Sequence, residues 1–150
     1  VVSWAKNIQL NGGNMTSTVI VAESGLGRYQ QEIIVGGKHH LIGDEPASVG
    51  GADAGPAPFD FLMSALGSCT AMTLRMYAER KNLPLTRISV TLSHDKIDVD
   101  GKPQDRISRH IQLDGELTEE QRQRCLEIAG KCPVHRALSQ SMQLDCELDL

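Results

Sequence analysis

The chain has 150 residues, of which 40% are hydrophobic and 23% charged, and its formal net charge is −4. This length and composition predict a single domain spanning residues 1–150. The negative charge argues against a nucleic-acid-binding surface. There is no 18-residue apolar run that would predict a membrane span, and no secretory leader opens the printed sequence. The four cysteines do not suggest a secreted disulfide framework. We therefore expect a cytoplasmic protein whose thiols are reduced at rest.

The N-terminal part of the chain predicts short strands followed by an irregular loop. Segments at 15–23, 29–35 and 39–42 read as three strands, the first bounded by NGGN and the last two joined by a turn at Gly36 and Gly37. Residues 44–58 are too rich in Gly, Pro and Ala for regular structure. A loop of this length often shapes the pocket of a nearby reactive residue.

From Pro58 the spacing predicts a helix of about six turns, because proline suits the first helical position and apolar residues recur every three or four positions. Pro84 prevents continuation. The helix is more apolar than a helix with one covered face should be. Either sheets cover several of its sides or a second copy of the chain does. We expect an α+β dimer with this helix near the subunit interface.

The C-terminal part predicts a hairpin, two helices and a last strand. Residues 87–99 and 106–113 alternate around a turn, with Ile107, Ile111 and Leu113 inward on the second strand. Thr118 begins a capping box, and Gly130 ends that helix. A short helix then starts at Cys132-Pro133, and residues 143–150 alternate as a final strand. The predicted order is βββ–α–ββ–αα–β.

The four cysteines occupy unlike positions. Cys132 lies at the N-cap of a helix, where free N–H groups and the helix dipole favour a thiolate. Cys69 lies in a small-residue stretch within the long helix, where a buried structural role is the more common one. Cys125 and Cys146 read as core residues. From context alone, redox and structural roles stay open for Cys69 and Cys132.

A peroxide-reactive thiol needs a cation that holds it as a thiolate and polarises the O–O bond. Arg28, just before a strand, is the best placed by sequence, although an exposed turn arginine is an equally good interpretation. Asp60 falls in the first turn of the long helix, about 180° around an ideal helix from Cys69. Glu32 and Glu45 are alternative carboxylates.

Two other site chemistries fit less well. Cys132 and His135 have C-x2-H spacing, but no second closely spaced ligand pair accompanies them, so a zinc site is disfavoured. Ser68 lies in A-L-G-S-C, well inside the helix, rather than in the G-x-S-x-G turn of a serine hydrolase.

The phrase GPAPFDFLMSALGSCT, the distant KCPVH and the upstream DEPASVGG together resemble the OsmC/Ohr family of thiol-dependent peroxidases, with the YhfA-type branch as the nearest match. The resemblance covers most of the chain. It implies antiparallel sheets around a long central helix in an intertwined homodimer, with active sites at the interface. It also implies that Cys69 is the peroxidatic thiol and that Cys132 closes a disulfide with it.

The resemblance further implies an organic hydroperoxide substrate and a dithiol reductant such as dihydrolipoamide, with no metal or nucleotide cofactor. We expect Arg28 and Asp60 to complete the catalytic site. Apolar residues at the start and middle of the helix are expected to bind the substrate tail: Phe59, Phe61, Leu62 and Met72. The alternatives are a non-catalytic module that binds an apolar ligand, and a slow redox protein that acts on another electrophile.

Overall fold

A computed structural model of the chain describes residues 18–140 and 142–148. Its fold is α+β, with antiparallel sheets and helices as expected. The elements in chain order are β1 (Val19–Glu23), β2 (Gln31–Val35), β3 (His39–Gly43), α1 (Pro58–Arg80), β4 (Leu85–Val99), β5 (Lys102–Gly115), α2 (Glu119–Ala129) and α3 (Pro133–Ser139). The chain divides into two compact units, Val1–Ala57 and Pro58–Leu150. The single domain expected over 1–150 stays a prediction.

The first unit contains an antiparallel sheet in the order β1-β2-β3. Val35 pairs with Val19 on one side and with His39 on the other. Gly36 and Gly37 form the predicted turn with φ values of 57° and 70°, a left-handed backbone that favours glycine. The second strand begins at Gln31, two residues later than the sequence suggested. Residues 15–17 of the predicted first strand lie outside the described residues.

The loop after β3 has no long helix or strand, as predicted, but it is ordered by a buried carboxylate. Asp44 is 3% exposed and accepts backbone N–H groups from Glu45, Ala52 and Ala54. The Ala54 bond chiefly lowers the pKa of Asp44; burial opposes it, and the bonds from Glu45 and Ala52 add to it. A Cβ at Gly55 would overlap the backbone of Ile42, so this close return of the loop requires glycine.

In the second unit, α1 packs against β4, α2 and α3. Its bounds agree with the prediction. Its buried face repeats every four residues, at Leu66, Thr70, Leu74 and Ala78. By contrast, Met72 and Met76 are 65% and 63% exposed within this chain. The helix therefore buries one face in its own unit and presents two large apolar side chains on another.

The hairpin of β4 and β5 is longer than predicted at both ends, and it supplies the other side of the core. Asp100 and Gly101 make its turn with φ values of 53° and 77°, as in a type I′ turn. Inward residues of the strands pack with Leu74, Cys125 and Ala129, which are almost completely buried. These inward residues are Ile88, Ile111 and Leu113.

The two C-terminal helices begin as predicted. Thr118 and Gln121 form both hydrogen bonds of a capping box at the start of α2. Cys132 is the N-cap of α3, and Pro133 is its first residue. Cys125 is fully buried, which confirms its assignment to the core.

The predicted final strand at 143–150 is wrong for residues 143–148, which form no regular secondary structure; residues 149–150 lie outside the described residues. Leu144 and Leu148 are 85% and 84% exposed, and Cys146 is exposed rather than in the core. Alternation marks a strand only where a neighbouring strand and a covering layer are present. In the described part of the chain, the two sheets contain only β1–β3 and β4–β5.

None of the helices in residues 18–140 and 142–148 has the length and apolar character needed to span a bilayer.

Candidate active site

The centre of the site is the Cys132 sulfur, which the turn after α2 and the start of α3 place beside Thr70 in the middle of α1. The side chain is 0% exposed. As the N-cap of α3, the sulfur accepts a hydrogen bond from the backbone N–H of His135 at 3.3 Å. This donor is one of the N–H groups that a helix leaves unpaired in its first turn. The sequence prediction of a capping cysteine at this position is confirmed.

Cys69 reaches the same place from α1. It lies on the helix face that also carries Leu62 and Leu66, because these positions are seven and three residues before it. Its side chain is half-buried, and its interaction with Cys132 helps to lower the pKa of the Cys132 thiol. Both thiols are reduced. Two thiols from distant parts of the sequence thus lie near enough to interact, and one is partly open to solvent whereas the other is enclosed.

Thr70, the residue after Cys69, is a third member of the site. It is fully buried, and its hydroxyl donates to the carbonyl of Leu66 at 2.8 Å. The same oxygen lies 3.7 Å from the Cys132 sulfur. Because a hydroxyl has one proton and two lone pairs, Thr70 can accept from a Cys132 thiol or donate to a Cys132 thiolate.

Arg109 on β5 binds groups from three helices around this pair of thiols. One nitrogen, Nη1, donates to the Thr70 hydroxyl at 2.7 Å and to the carbonyl of Ala129 at 3.2 Å. The other, Nη2, lies 3.0 Å from Nδ1 of His135. Ala129 is the last residue of α2, where carbonyls lack partners in the helix. The guanidinium therefore joins α1, the end of α2 and α3.

The sequence prediction missed Arg109, although a signal for it was present. Arg109 falls between Ile107 and Ile111 in the alternation of β5, so it shares their inward face. Inward arginines are rare because an unpaired charge in a low-dielectric interior is costly. A charged residue on an apolar strand face is therefore a sign of a buried partner.

The pKa of the Cys132 thiol lies below its ordinary value. Burial is the largest single effect and acts in the opposite direction, since it disfavours the anion. The hydrogen bonds from the His135 backbone, Thr70 and Cys69, together with the positive charge of Arg109, outweigh burial. Cys125 shows the contrast, because burial raises the pKa of its thiol and the charge of Arg122 only partly opposes this.

A cavity of about 260 Å³ lies beside α3 and contains His135 in its wall. Phe59 and Leu62 line it, as expected for substrate-binding residues, whereas Phe61 and Met72 are not among the described residues that do. The remaining lining residues are Leu66, Asp105, Ile107, Leu138 and Ser139. The wall is mostly apolar, with a few polar groups, as in many small-molecule sites.

The other two predicted catalytic residues lie as follows. Asp60 is in the first turn of α1 and lines a separate cavity of about 480 Å³, whose wall includes Ser64 and Ser68. Arg28 is an exposed residue of the first unit, and its guanidinium lies 5.0 Å from the centre of the Tyr29 ring. The catalytic roles of Arg28 and Asp60 stay predictions.

In residues 18–140 and 142–148, no group of three or more His, Cys, Asp and Glu side chains is arranged to hold a metal ion. His135, half of the C-x2-H pair, directs Nδ1 to Arg109 and its backbone N–H to Cys132.

Comparison with solved structures identifies several of the same fold. A putative osmotic stress induced and detoxification response protein from Psychrobacter arcticus matches with a TM-score of 0.68 at 18% identity, covering 86% of this chain and 91% of that one. The organic hydroperoxide resistance protein OsmC of Legionella pneumophila matches with a TM-score of 0.66 at 16% identity, covering 84% and 90%. An OsmC-like protein from Mycoplasma pneumoniae matches with a TM-score of 0.66 at 19% identity, covering 85% and 89%.

No curated protein sequence matches the chain. The family model described as OsmC-like protein matches residues 50–147, which include both Cys69 and Cys132. The narrower YhfA-type branch stays a prediction. The match extends over more than half of the sequence, and the chain therefore belongs to the OsmC-like family.

Proposed function

We propose that this protein is a thiol-dependent peroxidase that reduces organic hydroperoxides to alcohols. The observation that carries the proposal is that a half-buried thiol, Cys69, interacts electrostatically with a fully enclosed one, Cys132, whose pKa is lowered. A peroxide can approach the first, and the second is held against it in a form suited to attack. The names of structural neighbours from Legionella pneumophila and Bacillus subtilis, both organic hydroperoxide resistance proteins, support the same substrate class.

In the first step, the Cys69 thiolate attacks the terminal peroxide oxygen. A sulfur–oxygen bond forms, the O–O bond breaks, and the alkoxide takes a proton and leaves as the alcohol. Cys69 is then a sulfenic acid. We assign this step to Cys69 because Cys132 is 0% exposed and has no open path to a substrate in this state.

In the second step, the Cys132 thiolate attacks the Cys69 sulfenic sulfur. The S–S bond forms, and hydroxide leaves and takes a proton to give water. A small dithiol such as dihydrolipoamide then reduces the disulfide by two successive exchanges and is itself oxidised to a disulfide. In this scheme the cycle needs no metal or nucleotide cofactor.

The tail of the hydroperoxide is proposed to lie in the cavity of about 260 Å³ beside α3. Phe59 and Leu62 offer apolar surface there, and Phe59 stacks on the ring of His94 at a centroid distance of 4.0 Å, which fixes its orientation. Phe61 and Met72 are proposed as further contacts, and Arg28 and Asp60 as the cation and carboxylate that activate the first thiol.

The protein is proposed to act as a homodimer. The argument is the exposed apolar part of α1, where Met72 and Met76 are mostly exposed in one chain. Side chains of this kind in a row are typical of an interface. Replacing Met76 by Glu is expected to shift the protein toward monomer in analytical ultracentrifugation. An unchanged dimer would place the interface elsewhere, and a monomeric wild type would exclude it.

The central test uses cumene hydroperoxide and the reduced protein. The wild type is expected to consume one equivalent per chain and to form a disulfide that peptide mass spectrometry assigns to Cys69 and Cys132. Cys69→Ser is expected to lose peroxide consumption, and Cys132→Ser is expected to accumulate sulfenic acid that dimedone traps. Cys146→Ser is the matched control, because that thiol is exposed and lies outside the site.

Three results would contradict the assignment. Full peroxide consumption by Cys69→Ser would remove Cys69 from the first step. A wild type that reacts with neither peroxide nor a thiol reagent near neutral pH, apart from Cys146, would instead favour a module that binds an apolar ligand. Fast thiol reagent chemistry with negligible peroxide reduction would favour a redox protein for another electrophile.

A further inference from the structure

Arg109 has a geometry that the peroxidase proposal does not use. It sits on the inward face of β5 and directs both terminal nitrogens at hydrogen-bond acceptors from three different helices, α1, α2 and α3. In the part of the chain that the structure describes, the ion pairs involve other residues, and none pairs Arg109 with a carboxylate. Its positive charge is therefore not neutralised locally and is available to an anion beside it.

Two of the groups that bind Arg109 also contact the Cys132 sulfur. Thr70 accepts from Nη1 at 2.7 Å, and its oxygen lies 3.7 Å from the sulfur. His135 faces Nη2 through its ring, and its backbone N–H donates to the sulfur at 3.3 Å. Arg109 thus binds two of the residues that hydrogen-bond to Cys132, and it is not itself a hydrogen-bond partner of the sulfur.

We propose that Arg109 is a positioning residue that holds Thr70 and His135 around the Cys132 thiolate, and that it thereby sets the pH range in which Cys132 closes the disulfide with Cys69. This inference rests on the proposed peroxidase function. It assigns Arg109 to the second step of the cycle, separate from the activation of Cys69 for the first.

The hydrogen-bond chemistry of each partner agrees with this assignment. A guanidinium only donates, so Nδ1 of His135 accepts, and a neutral His135 carries its proton on Nε2. The Thr70 oxygen accepts from Arg109, which leaves its single proton for either the Leu66 carbonyl or the Cys132 sulfur. When Cys132 ionises, that proton can turn to the sulfur, while Arg109 keeps the oxygen in place.

The side chains that act on Cys132 come from two elements: Thr70 and Cys69 from α1, and Arg109 from β5. The backbone N–H of His135 in α3 adds a hydrogen bond to the sulfur. Each hydrogen bond to the sulfur lowers the pKa of Cys132 and so does the charge of Arg109, against the effect of burial. Of these groups, Arg109 carries a permanent positive charge.

Removing Arg109 is expected to change how the rate of disulfide closure depends on pH. Each unit by which the pKa of a thiol rises lowers its thiolate fraction about tenfold at pH values below the pKa. The same unit raises the nucleophilicity of the thiolate by roughly threefold, given a Brønsted coefficient of about 0.4–0.5. Disulfide closure should therefore slow by about threefold to fourfold per unit at low pH, and it should become equal or faster at a pH above both pKa values.

The test measures closure directly in a single turnover. Reduced protein is mixed with one equivalent of cumene hydroperoxide, quenched at intervals with acid and dimedone, and analysed by mass spectrometry for the sulfenic acid and the disulfide. Arg109→Met removes both the positive charge and the planar set of guanidinium donors. Arg109→Lys keeps the charge, but its single ammonium group cannot reach all three partners at once. Arg75→Met is the matched control, since Arg75 also binds backbone carbonyls, those of Leu85 and Thr86.

The rate profile of Arg109→Met is expected to shift to higher pH and to cross that of the wild type, with more dimedone adduct on Cys69 near neutral pH. Arg109→Lys is expected to fall between the two, and Arg75→Met to follow the wild type. A profile of Arg109→Met that coincides with the wild type, or that is slower by the same factor at every pH, would overturn the inference.

Failure of the underlying function gives a different result. If the wild type forms neither sulfenic acid nor disulfide with the hydroperoxide, the peroxidase proposal fails before Arg109 is tested. The pH titration of thiolate ultraviolet absorbance, compared with and without Arg109→Met and Cys132→Ser, then still decides whether Arg109 favours the Cys132 thiolate, because that readout needs neither a peroxide nor access of a reagent. Circular dichroism checks that each variant is folded. If Arg109→Met does not fold, the pH profiles of Arg109→Lys and Thr70→Val are compared with that of the wild type instead.

Discussion

Replacing Thr70 by valine tests whether the hydroxyl at the centre of the site is coupled to Arg109. The two side chains have nearly the same shape and both are β-branched, so helix propensity and packing change little. The substitution removes the acceptor that Arg109 Nη1 reaches at 2.7 Å and one donor to Cys132. Thr70 is 0% exposed, so water cannot replace the lost hydroxyl without rearrangement.

The expected cost follows from the charged hydrogen bond. A hydrogen bond to a charged group contributes about 1.5–3 kcal/mol. Nη1 keeps its second bond, to the Ala129 carbonyl, and valine adds apolar volume, so we expect Thr70→Val to lower the free energy of unfolding by about 1–2 kcal/mol. Thr70→Ser keeps the hydroxyl but loses one buried methyl group, which should lower the free energy of unfolding by about 0.5–1.5 kcal/mol.

Because these ranges overlap, the assay is a double-mutant cycle with Arg109→Met. Urea unfolding is measured on reduced protein at one fixed concentration, since dimer formation would make stability depend on concentration. Thr70→Val and Arg109→Met should be non-additive by about 1 kcal/mol or more, whereas Thr70→Ser and Arg109→Met should add to within about 0.5 kcal/mol. Additive costs for the valine cycle would refute the reasoning that this hydroxyl and guanidinium act as a unit.

Three further predictions concern pH, thiol reactivity and helix capping. The pKa of Cys132 is lowered on folding, so its stabilisation is fully present above the pKa of an unfolded thiol, roughly 8.5, and is lost as the pH falls through the lower folded value. The stability difference between reduced wild type and Cys132→Ser should therefore widen as the pH rises, as measured by urea unfolding; a gap that narrows would contradict the lowered pKa. Cys146 should react with iodoacetamide much faster than the fully buried Cys125, and mass spectrometry after brief labelling would reveal a reversed order. Thr118→Ala should cost about 1 kcal/mol because it removes the capping box of α2, and an unchanged thermal midpoint would argue against that cap.

Local signals explain why most elements were predicted correctly. Pro58 begins α1, Thr118 and Gln121 cap α2, and Asp100-Gly101 turns the hairpin, and each acts through neighbours a few residues away. The strand expected at the C-terminus failed for the opposite reason. Alternation at 143–150 records which side chains are apolar, but a strand also needs a partner edge, and that edge lies in another part of a fold.

The candidate site also has features that the sequence indicates and features that only packing decides. A sequence alone marks Cys132 as a helix N-cap and Cys69 as a member of a helix face, because capping and helical periodicity are local properties. Only the tertiary structure lets the two thiols interact and places the Thr70 hydroxyl against Cys132, with Arg109 behind it. The balance between burial and hydrogen bonding that sets the pKa of Cys132 depends on groups from α1, β5 and α3. Since those groups are far apart along the chain, their effect on one sulfur is decided by packing and not by sequence spacing.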